Sequence, residues 1–490
     1  MNAQSPSLSR HTKAVAILWL IVLAGVWISE RGFLPWTRIF EDAGKNTWWQ
    51  GKTFEEINHD FEANLKSFQR VRPYYNWTKF WAFGASNNTV ARGKKGWMFY
   101  PEHLQAPSRD LSLAQTYLDM FHEINLSMKA KGFELWLVPV PEKGMIYPEY
   151  LPGGQKNVQA RLERLQTFMA AAQKRRIKVV DIVTPFLAEA DAGPRLFSLD
   201  DTHWSEAGAQ RAAEICAASV KATVLPSPAP LTFRETPIQR TADLASMLNF
   251  PQAVLLERHQ VQLSLVQAQS RQAPQTIWFG TSFSYGFSMA HRFAKVTQSL
   301  TANEATNGML LSDFFPALLA WLEHPGNAAP GTHVMVEFPY RHLNDRKNLA
   351  EIKQQMEWRR QFSKLQPQLM IDPRTLPTQN LIVDTQWQPQ NTDPMIFLDS
   401  TLFQAMEKPL FLRVRLRTQS PAETPPYLKV YYDLGNGFSE KQTTSLALSR
   451  TSSWQSHWIP IPFDRKLPQR IRLDALNRQQ NFQLDLLAVY

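Results

Sequence analysis

An aspartate, a histidine and a serine in this sequence are of the types that together carry out nucleophilic acyl transfer. Asp201 and His203 lie two residues apart in DDTHWSEAG, and Ser282 follows later in GTSFS. A serine hydroxyl is a weak nucleophile until a base takes its proton, and that base must be held in the right tautomer. Residues two apart in an extended segment point to the same face, so Asp201 rather than Asp200 is assigned as the orienting acid, His203 as the base and Ser282 as the nucleophile.

The neighbours of these residues indicate how they are positioned. Ser282 follows a predicted buried strand, QTIWF, at a turn into a helix whose first amides are expected to be free for an oxyanion. Ser205 is expected to cap the helix after the histidine, and Trp204 to pack against the imidazole. On its own, the Asp-His segment is read more simply as a capped helix with a surface histidine. The serine turn shifts the interpretation towards a catalytic site.

Helical periodicity and short apolar runs alternate through the middle of the chain. Amphipathic spacing predicts helices over 113–128 and 158–169, and each is followed by an apolar strand. Such alternation predicts an α/β fold with a parallel sheet and flanking helices, in which sites form at the carboxyl ends of the strands. The polar residues that follow the strands, Lys143, Ser282 and Arg341 among them, are therefore expected to meet at one edge.

The C-terminal part of the chain has a different pattern. From about residue 391, short alternating strands separated by Gly, Pro and Asn predict a β-sandwich. Its closing strands resemble those of jelly-roll carbohydrate-binding modules. Trp454 and Trp458 are candidates for stacking on sugar rings, and Arg413 and Arg415 for binding carboxylates. The alternative is that the aromatic residues form the sandwich core and the arginines a solvated face.

The charge balance narrows the classes of partner. The 490 residues include 53 Lys and Arg against 43 Asp and Glu, which gives a formal net charge of +10. A basic balance suits nucleic acid, an anionic membrane or an acidic polymer. The sequence has no Lys/Arg-rich block and no zinc-finger spacing, so nucleic acid is not the expected partner. A single cysteine, Cys216, excludes a disulfide framework and a cysteine-based metal site.

An apolar run near the N-terminus predicts export. The stretch 14–28 is continuously apolar and follows Arg10 and Lys13. The positive flank favours a cytoplasmic N-terminus, and the end of the run lacks the small residues of a good cleavage site. We expect a cytoplasmic tail over 1–12 and an uncleaved signal-anchor over 13–31, with a cleaved signal peptide as the alternative. In either case the rest of the chain is expected in a bacterial periplasm.

Four segments of the sequence resemble a known family. In chain order they are VARGKKGWMFY (90–100), LVPVPEKGMIYPEYLP (137–152), DTHWSEAG (201–208) and GTSFS (280–284). They are similar to the periplasmic alginate O-acetyltransferases of the AlgX/AlgJ type, whose catalytic domain is related to SGNH-fold hydrolases. The resemblance implies an SGNH-hydrolase-like acetyltransferase domain over 55–385, followed by the β-sandwich over 391–490. It also implies that Asp201, His203 and Ser282 form the triad.

The resemblance further implies a reaction and its partners. Ser282 is expected to take acetyl from a donor as an acyl-enzyme, and His203 then to activate a hydroxyl of an exported polysaccharide such as alginate. The expected donor is a membrane-bound acyltransferase of the MBOAT class, acting with other exopolysaccharide secretion proteins. No cofactor or metal is expected. Arg341, Lys143 and Tyr285 are the candidate substrate-binding residues beside the triad.

Two other functions remain compatible with the same residues. With water as the acceptor, the triad would remove acetyl groups from an exported polysaccharide. With a vestigial triad, the chain would be a glycan-binding scaffold of a secretion complex, although the intact Asp201, His203 and Ser282 argue against that. The segment VEFPYRHL also departs from the family pattern, because Tyr340 stands where a second glutamate is usual. That departure puts in doubt any role based on the acid.

Overall fold

The computed structural model describes most of the chain after its N-terminal region. The described residues are 66–83, 89–107, 111–153, 157–251, 258–267, 273–323, 328–346, 349–362, 365–384, 386–391, 393–402, 410–418, 426–448, 454–461, 468–474 and 481–490. The predicted cytoplasmic tail (1–12) and signal-anchor (13–31) lie outside these residues. Within them, no helix is long and apolar enough to cross a membrane.

Helices and strands alternate in the first part of the chain, and strands dominate the last. Within the described residues, the α-helices are α1 (Lys66–Phe83), α2 (Ser112–Ala130), α3 (Lys143–Ile146), α4 (Val158–Lys174), α5 (Val183–Glu189), α6 (Glu206–Val220), α7 (Asp243–Met247), α8 (Ser282–Tyr285), α9 (Met289–Thr297), α10 (Phe314–Glu323) and α11 (Leu349–Phe362). The strands of the first part are β1 (Ala91–Arg92), β2 (Met98–Phe99), β3 (Glu134–Val140), β4 (Lys178–Val179), β5 (Thr232–Arg240), β6 (Arg258–Gln267), β7 (Thr276–Phe279), β8 (Thr301–Asn303) and β9 (His333–Pro339). The strands of the last part are β10 (Leu369–Ile371), β11 (Thr378–Gln379), β12 (Leu381–Val383), β13 (Trp387–Pro389), β14 (Met395–Asp399), β15 (Phe411–Thr418), β16 (Tyr427–Asp433), β17 (Thr443–Ala447), β18 (Gln455–Pro460), β19 (Arg470–Asp474) and β20 (Phe482–Val489).

The central sheet is parallel, as the alternation of helices and strands predicts. Its strand order is β4-β3-β9-β7-β8, and the pairings along this path are parallel. Alternate residues of β3 enter different cores: Leu135 and Leu137 pack with α2, α4 and α10, whereas Trp136 and Val138 pack with α5, α6 and α9. Because successive side chains of a strand point to opposite faces, helices cover both faces of the sheet. This arrangement leaves the ends of the strands as the place for a site.

The C-terminal strands form a β-sandwich. One sheet has the order β12-β13-β20-β15-β18 with β10 also paired to β20, and the other has the order β11-β14-β19-β16-β17. Inward-facing residues of both sheets, such as Val414, Val430 and Leu487, form a single core. The sandwich begins at Leu369, earlier than the predicted boundary at 391, because β10 to β13 pair with strands of the sandwich.

A direct contact joins the sandwich to the helices of the parallel domain. The Gln355 side chain of α11 donates to the carbonyl oxygen of Trp458 at 2.8 Å and accepts from its amide at 2.7 Å. Arg413 of β15 forms an ion pair with Glu323 at the end of α10. These contacts fix the face of the sandwich that is turned towards the parallel domain.

Candidate active site

The serine lies on a tight turn between β7 and α8, at the carboxyl end of a central strand. Thr281 caps the short helix, since its Oγ1 accepts from the amide of Phe283 at 3.3 Å. The turn leaves no room beside Gly280: an added Cβ would lie 2.4 Å from the Cβ and Oγ of Ser284. Glycine is therefore required here by close approach rather than by a left-handed backbone. Ser282 itself remains half-buried and accessible.

The amides after the serine differ from the expectation of a free helix N-terminus. Phe283 donates to the Thr281 hydroxyl, and Ser284 and Tyr285 donate to the Thr281 carbonyl oxygen at 3.0 and 2.9 Å. In the part of the chain that the structure describes, the amide of Ser282 has no such partner. The N–H that remains for an oxyanion is therefore that of the serine itself.

The histidine lies in a loop that folds around a buried ammonium group. An antiparallel bridge between Phe197 and Trp204 closes the loop. Lys143, the first residue of α3, is fully buried and donates from Nζ to the carbonyl oxygens of Ser198 at 2.9 Å, Leu199 at 3.2 Å and Asp201 at 2.8 Å. Lys143 thus organises the loop from inside, and its burial does not fit the expected direct contact with substrate. A buried charge is tolerated when strong hydrogen bonds of this kind satisfy it.

The structure brings the serine, the histidine and Asp201 into one chain of hydrogen bonds. Nε2 of His203 lies 2.7 Å from Oγ of Ser282, and Nδ1 lies 2.5 Å from Oδ1 of Asp201. The same carboxylate oxygen accepts the backbone N–H of His203 at 2.9 Å. The segment is therefore a bend closed by its own aspartate, not the extended segment of the sequence prediction. The assignment of Asp201 over Asp200 agrees with these distances.

A second carboxylate, Asp243 of α7, lies beside this pair. Its Oδ1 accepts from the amide of Thr202 at 2.7 Å, its Oδ2 accepts from the Thr202 hydroxyl, and Oδ2 is 3.6 Å from Nδ1 of His203. Burial and the charge of Asp201 raise the pKa of Asp243. Burial also tends to raise the pKa of Asp201, but the charge and hydrogen bonds of His203 outweigh it and lower this pKa below the ordinary value. The two environments favour Asp201 as the ionised partner of the imidazole.

Three acidic or imidazole ligand atoms in this cluster also lie within 4.8 Å of one another, at Asp201, His203 and Asp243. The hydrogen bonds already account for this arrangement, because Nδ1 of His203 is bonded to Asp201 and both oxygens of Asp243 accept from Thr202. We therefore infer no metal site from their proximity.

A buried glutamate supports the serine turn from below. Oε2 of Glu337, on β9, accepts from the amide of Thr281 at 2.9 Å and from the Ser284 hydroxyl at 2.7 Å. Oε1 accepts from the Thr281 hydroxyl at 3.0 Å. Burial raises the pKa of Glu337 despite these hydrogen bonds. The adjacent strand therefore holds both ends of the turn that presents Ser282.

Phenylalanines, rather than the expected tryptophan, contact the imidazole. The ring centroids of Phe283 and Phe287 lie 4.6 and 6.0 Å from that of His203. Trp204 is buried behind them, where its Nε1 donates to the carbonyl oxygen of Phe283 at 3.0 Å. Its expected neighbour Ser205 does cap α6, accepting from the amide of Gly208 at 3.1 Å. Trp204 thus lies behind Phe283 and Phe287, the two rings that face the imidazole.

Two of the predicted substrate-binding residues lie at the rim of the site. Tyr285, one turn after Ser282, is 53% exposed. The guanidinium carbon of Arg341 lies 5.7 Å from the Phe283 ring centroid and 5.3 Å from that of Tyr100. Both side chains remain candidates for contact with substrate.

The candidates on the sandwich are less accessible than the sequence suggested. Trp458 is 2% exposed and packs against Tyr490 at 4.6 Å between ring centroids, and Arg413 is paired with Glu323. Both face the parallel domain, so neither presents a surface to a polymer. Arg415 is buried and paired with Asp485 at 3.0 Å, and its guanidinium carbon lies 4.7 Å from the Trp454 ring centroid. Trp454 is half-buried, and of the two aromatic candidates it is the one that remains accessible to a sugar ring.

Three residues of the site had no role in the sequence prediction: Asp243, Glu337 and Arg240. Arg240 ends the β5–β6 hairpin with its guanidinium carbon 4.9 Å from the Phe287 ring centroid, and its charge lowers the pKa of Asp201. Glu337 carried a weak signal, as an acid within an apolar strand. Asp243 and Arg240 lie in a stretch of sequence without clear periodicity, so only the tertiary contacts show that they belong to the site.

The comparisons with known proteins match this architecture. The model of the family described as "SGNH hydrolase-like domain, acetyltransferase AlgX" matches residues 90–340. The structure of AlgX from Pseudomonas aeruginosa is similar in fold, with a TM-score of 0.53, 14% identity and coverage of 82% of this chain and 94% of that one.

Sequence relatives are found among proteins named "Probable alginate O-acetylase AlgJ". The one from Pseudomonas putida is 25% identical over 211 residues, which cover 43% of this chain and 53% of the relative. The one from Pseudomonas aeruginosa is 28% identical over 178 residues, which cover 35% and 44%. The chain thus spans about half the length of these relatives. Since the family match covers just over half of the 490 residues, the chain belongs to the family of the SGNH hydrolase-like domain of the acetyltransferase AlgX.

Proposed function

We propose that this protein is an O-acetyltransferase that acetylates an exported polysaccharide, alginate or a similar polymer, through an acyl-enzyme on Ser282. The observation that carries the proposal is the continuous contact from Ser282 through His203 to Asp201, with Nε2 of His203 2.7 Å from the serine Oγ. This geometry allows the imidazole to take the hydroxyl proton while the carboxylate stabilises the resulting charge. The family membership supports acyl transfer as the reaction class.

In the first half of the reaction, Oγ of Ser282 attacks the acyl carbonyl of the donor. His203 accepts the hydroxyl proton on Nε2, and Asp201 stabilises the imidazolium through Nδ1. Negative charge develops on the carbonyl oxygen, where the amide of Ser282 can donate a hydrogen bond. The imidazolium then returns its proton to the leaving group, which departs and leaves acetyl on the serine.

In the second half, a sugar hydroxyl replaces the donor's leaving group. His203 removes the hydroxyl proton as the sugar oxygen attacks the acetyl carbonyl, and the same proton returns to Oγ of Ser282 when the ester bond to the enzyme breaks. The products are an acetylated sugar and the free serine. Phe283 and Phe287 pack against the imidazole and help to hold its ring in place for both halves of the reaction.

The location and partners follow from the same proposal. The relatives are named as probable alginate O-acetylases, and the predicted export signal supports a periplasmic location for this domain. Acetyl-CoA is a cytoplasmic donor, so an acetyl group has to cross the membrane first. We infer a membrane-bound acyltransferase of the MBOAT class as the donor, acting beside other exopolysaccharide secretion proteins.

The decisive experiment looks for acetyl on Ser282. The protein is incubated with p-nitrophenyl acetate as donor and a mannuronate oligosaccharide as acceptor, and both are analysed by mass spectrometry. We expect one acetyl on the peptide that contains Ser282 and an acetylated oligosaccharide, both absent for Ser282→Ala. A Ser219→Ala variant, on the exposed side of α6, serves as the control and should behave like the wild type.

The same experiment separates the competing functions. Acetyl on Ser282 with free acetate as the only product would identify a hydrolase. Absence of acetyl from Ser282 under all conditions, with an unmodified oligosaccharide, would overturn the enzymatic assignment.

A further inference from the structure

Three aromatic side chains form an exposed stripe on α1. Tyr74, Trp77 and Trp81 are 50%, 37% and 40% exposed. Their spacing of three and four residues places them on one face of the helix, on successive turns. Single exposed aromatic residues are common on protein surfaces, but contiguous exposed patches of them generally mark a surface that binds a partner. The aromatic stripe is therefore a candidate interaction surface.

A different face of α1 holds the helix on the domain. Phe80 is buried in one cluster with Leu244 and Phe250, and its ring centroid lies 5.4 Å from that of Phe250. Asn76 donates from Nδ2 to the carbonyl oxygen of Leu248 at 3.1 Å. The packing of α1 on the domain thus uses other residues than the aromatic stripe, and the stripe stays available to a partner.

The charged side chains of α1 are all positive. Its sequence contains two lysines and two arginines but no aspartate or glutamate, and Arg70 and Lys79 are exposed. Lys95 is also exposed, on a turn that borders the aromatic stripe, where an added Cβ at Gly96 would lie 2.8 Å from the Trp81 ring. Tryptophan and tyrosine are enriched at the membrane–water interface, and neighbouring cations are attracted to anionic lipids. The composition of this surface therefore suits the headgroup region of an anionic membrane.

The shape and the hydrogen bonds of α1 favour a lipid surface over a sugar chain. The outer face of a helix is convex, whereas sites for small ligands are concave and contain polar groups that fix the ligand. Thr78 donates to the carbonyl oxygen of Tyr74 at 2.9 Å, and Asn76 donates to Leu248. These neutral polar groups are already bonded within the protein, so they do not form a set of partners for sugar hydroxyls.

The position of α1 relates the aromatic stripe to the membrane and to the candidate site. Among the described helices, α1 is the first after the predicted signal-anchor (13–31). Phe80 packs in one cluster with Leu244 of α7, and the neighbouring Asp243 of α7 accepts from the amide of Thr202 at 2.7 Å. One short helix therefore separates α1 from the loop that holds the histidine.

We propose that α1 docks on the surface of an anionic phospholipid membrane through Tyr74, Trp77 and Trp81. The three rings enter the headgroup region, and Arg70 and Lys79 contact the lipid phosphates. Docking holds α7, and the candidate site behind it, near the membrane that carries the proposed donor. The inference goes beyond the proposed function, because it concerns where the domain is held and does not rest on the reaction that it carries out.

Hydroxyl-radical footprinting of the full chain tests the docking. The protein is reconstituted into neutral phosphatidylcholine vesicles and into vesicles with about 30% phosphatidylglycerol, whose surface potential is negative. Mass spectrometry then measures the oxidation of each aromatic side chain. One cation near an anionic surface strengthens binding about fivefold, so oxidation of Tyr74, Trp77 and Trp81 should fall at least about fivefold in the anionic vesicles. Tyr427 of the sandwich is the exposed reference, and its oxidation should not change.

Salt and charge substitutions identify the contact. In about 1 M NaCl the Debye length is about 3 Å, so oxidation of the aromatic stripe should return towards its value in neutral vesicles. Arg70→Gln and Lys79→Gln should each lower the ratio of docked to undocked protein about fivefold. Lys174→Gln and Lys353→Gln, at exposed lysines of α4 and α11, are the matched controls and should keep the wild-type protection. The salt measurement needs no substitution, so it remains decisive if a variant of α1 fails to fold.

Three results would overturn the proposal. They are equal oxidation of the aromatic stripe in neutral and anionic vesicles, protection that salt does not change, and protection that appears only after a mannuronate oligosaccharide is added. The last result would make the stripe a surface for a sugar chain. The vesicle measurements contain no acyl donor and need no sugar, so a failed transfer assay and a failed docking are distinguishable.

Discussion

Asp201 binds His203 at two points with one oxygen: Oδ1 accepts the backbone N–H at 2.9 Å and lies 2.5 Å from Nδ1 of the ring. The hydrogen bond from the backbone N–H fixes the position of the His203 main chain. The contact with Nδ1 fixes the tautomer and the orientation of the ring. Because the two residues are only two positions apart, this arrangement is made locally. Of the three residues in this chain of hydrogen bonds, Ser282 is the one that tertiary folding has to bring in.

The roles of the two aspartates can be separated by isosteric substitution. Asp201→Asn places an amide against Nδ1 and favours the wrong tautomer, so acetyl transfer should fall about 10³- to 10⁴-fold. Asp243→Asn keeps an acceptor for Thr202 and lies farther from the ring, 3.6 Å in place of 2.5 Å, so its effect should be less than about tenfold. Initial rates of oligosaccharide acetylation measure both. Equal losses would make Asp243 an orienting acid as well.

The buried ammonium of Lys143 should matter for stability and, through the loop, for activity. Lys143→Met leaves three carbonyl oxygens of the His203 loop without their donor, at Ser198, Leu199 and Asp201. Hydrogen bonds to charged groups contribute about 1.5–3 kcal/mol each, so we expect the free energy of unfolding to fall by about 3 kcal/mol or more. Urea denaturation measures this loss.

A surface lysine supplies the control for that measurement. Lys94→Met removes an exposed ammonium with one carbonyl partner, at Glu149, and should change the free energy of unfolding by less than about 0.5 kcal/mol. The catalytic rate of the folded fraction should fall for Lys143→Met and stay unchanged for Lys94→Met. Equal stability of the two variants would show that the loop holds its shape without Lys143.

Glu337 should make stability depend on pH with a predictable sign. Burial raises its pKa above the ordinary value of 4.5, so the folded protein binds a proton here more tightly than the unfolded chain does. Stability from this group is therefore present at pH 4.5 and below and is lost as the pH rises through the raised pKa. Glu337→Gln removes the titration while keeping one acceptor for Thr281, so its free energy of unfolding should decline less steeply towards pH 8.

Denaturation curves of both proteins from pH 4.5 to 8 test that sign. Glu235→Gln is the comparison, because the hydrogen bond from Lys295 lowers the pKa of Glu235 and any change of slope there has the opposite sign. If the free energies of unfolding of the wild type and Glu337→Gln change with pH in parallel, then Glu337 has the same pKa in the folded and unfolded states.

Local signals in the sequence were enough to predict the central sheet and to select three residues that the structure brings together at the candidate site. The apolar runs of β3, β7 and β9 are continuous because helices cover both faces, and such runs are visible without knowing the fold. The Asp201–His203 pair is visible for a similar reason, since both residues lie in one loop. The reason given for their shared direction was wrong, because the segment is bent rather than extended.

Contacts between distant segments were not predictable in the same way. Asp243 reaches Thr202 across 41 positions from a five-residue helix, and nothing near it in sequence marks it as part of the site. Strands β10 to β13 are two or three residues long, too short to show alternation, so the start of the sandwich was placed too late. Arg413 was predicted to bind polymer as one of several arginines at alternate positions of one strand. The sequence does not reveal its partner, Glu323, because that residue belongs to the other domain.

Gly280 should be the least replaceable position of the serine turn. An added Cβ would lie 2.4 Å from Oγ of Ser284 and 2.9 Å from Oε2 of Glu337, distances that real Cβ atoms do not adopt. Ser284 cannot easily move away, because its Oγ accepts from Nε1 of Trp278 at 2.8 Å and donates to Glu337 at 2.7 Å. Gly280→Ala must therefore displace the turn and, with it, Ser282, the proposed nucleophile.

A shift of about 1 Å at a reacting atom costs on the order of 10²-fold in rate, so Gly280→Ala should lower acetyl transfer at least that far. Overpacking should also reduce the free energy of unfolding by about 1–3 kcal/mol. Gly193→Ala is the matched control: an added Cβ there meets no atom within 4 Å, and both rate and stability should stay close to those of the wild type. Activity of Gly280→Ala near the wild-type level would show that Glu337 and Ser284 yield more readily than their hydrogen bonds indicate, because the serine would have kept its 2.7 Å contact with His203.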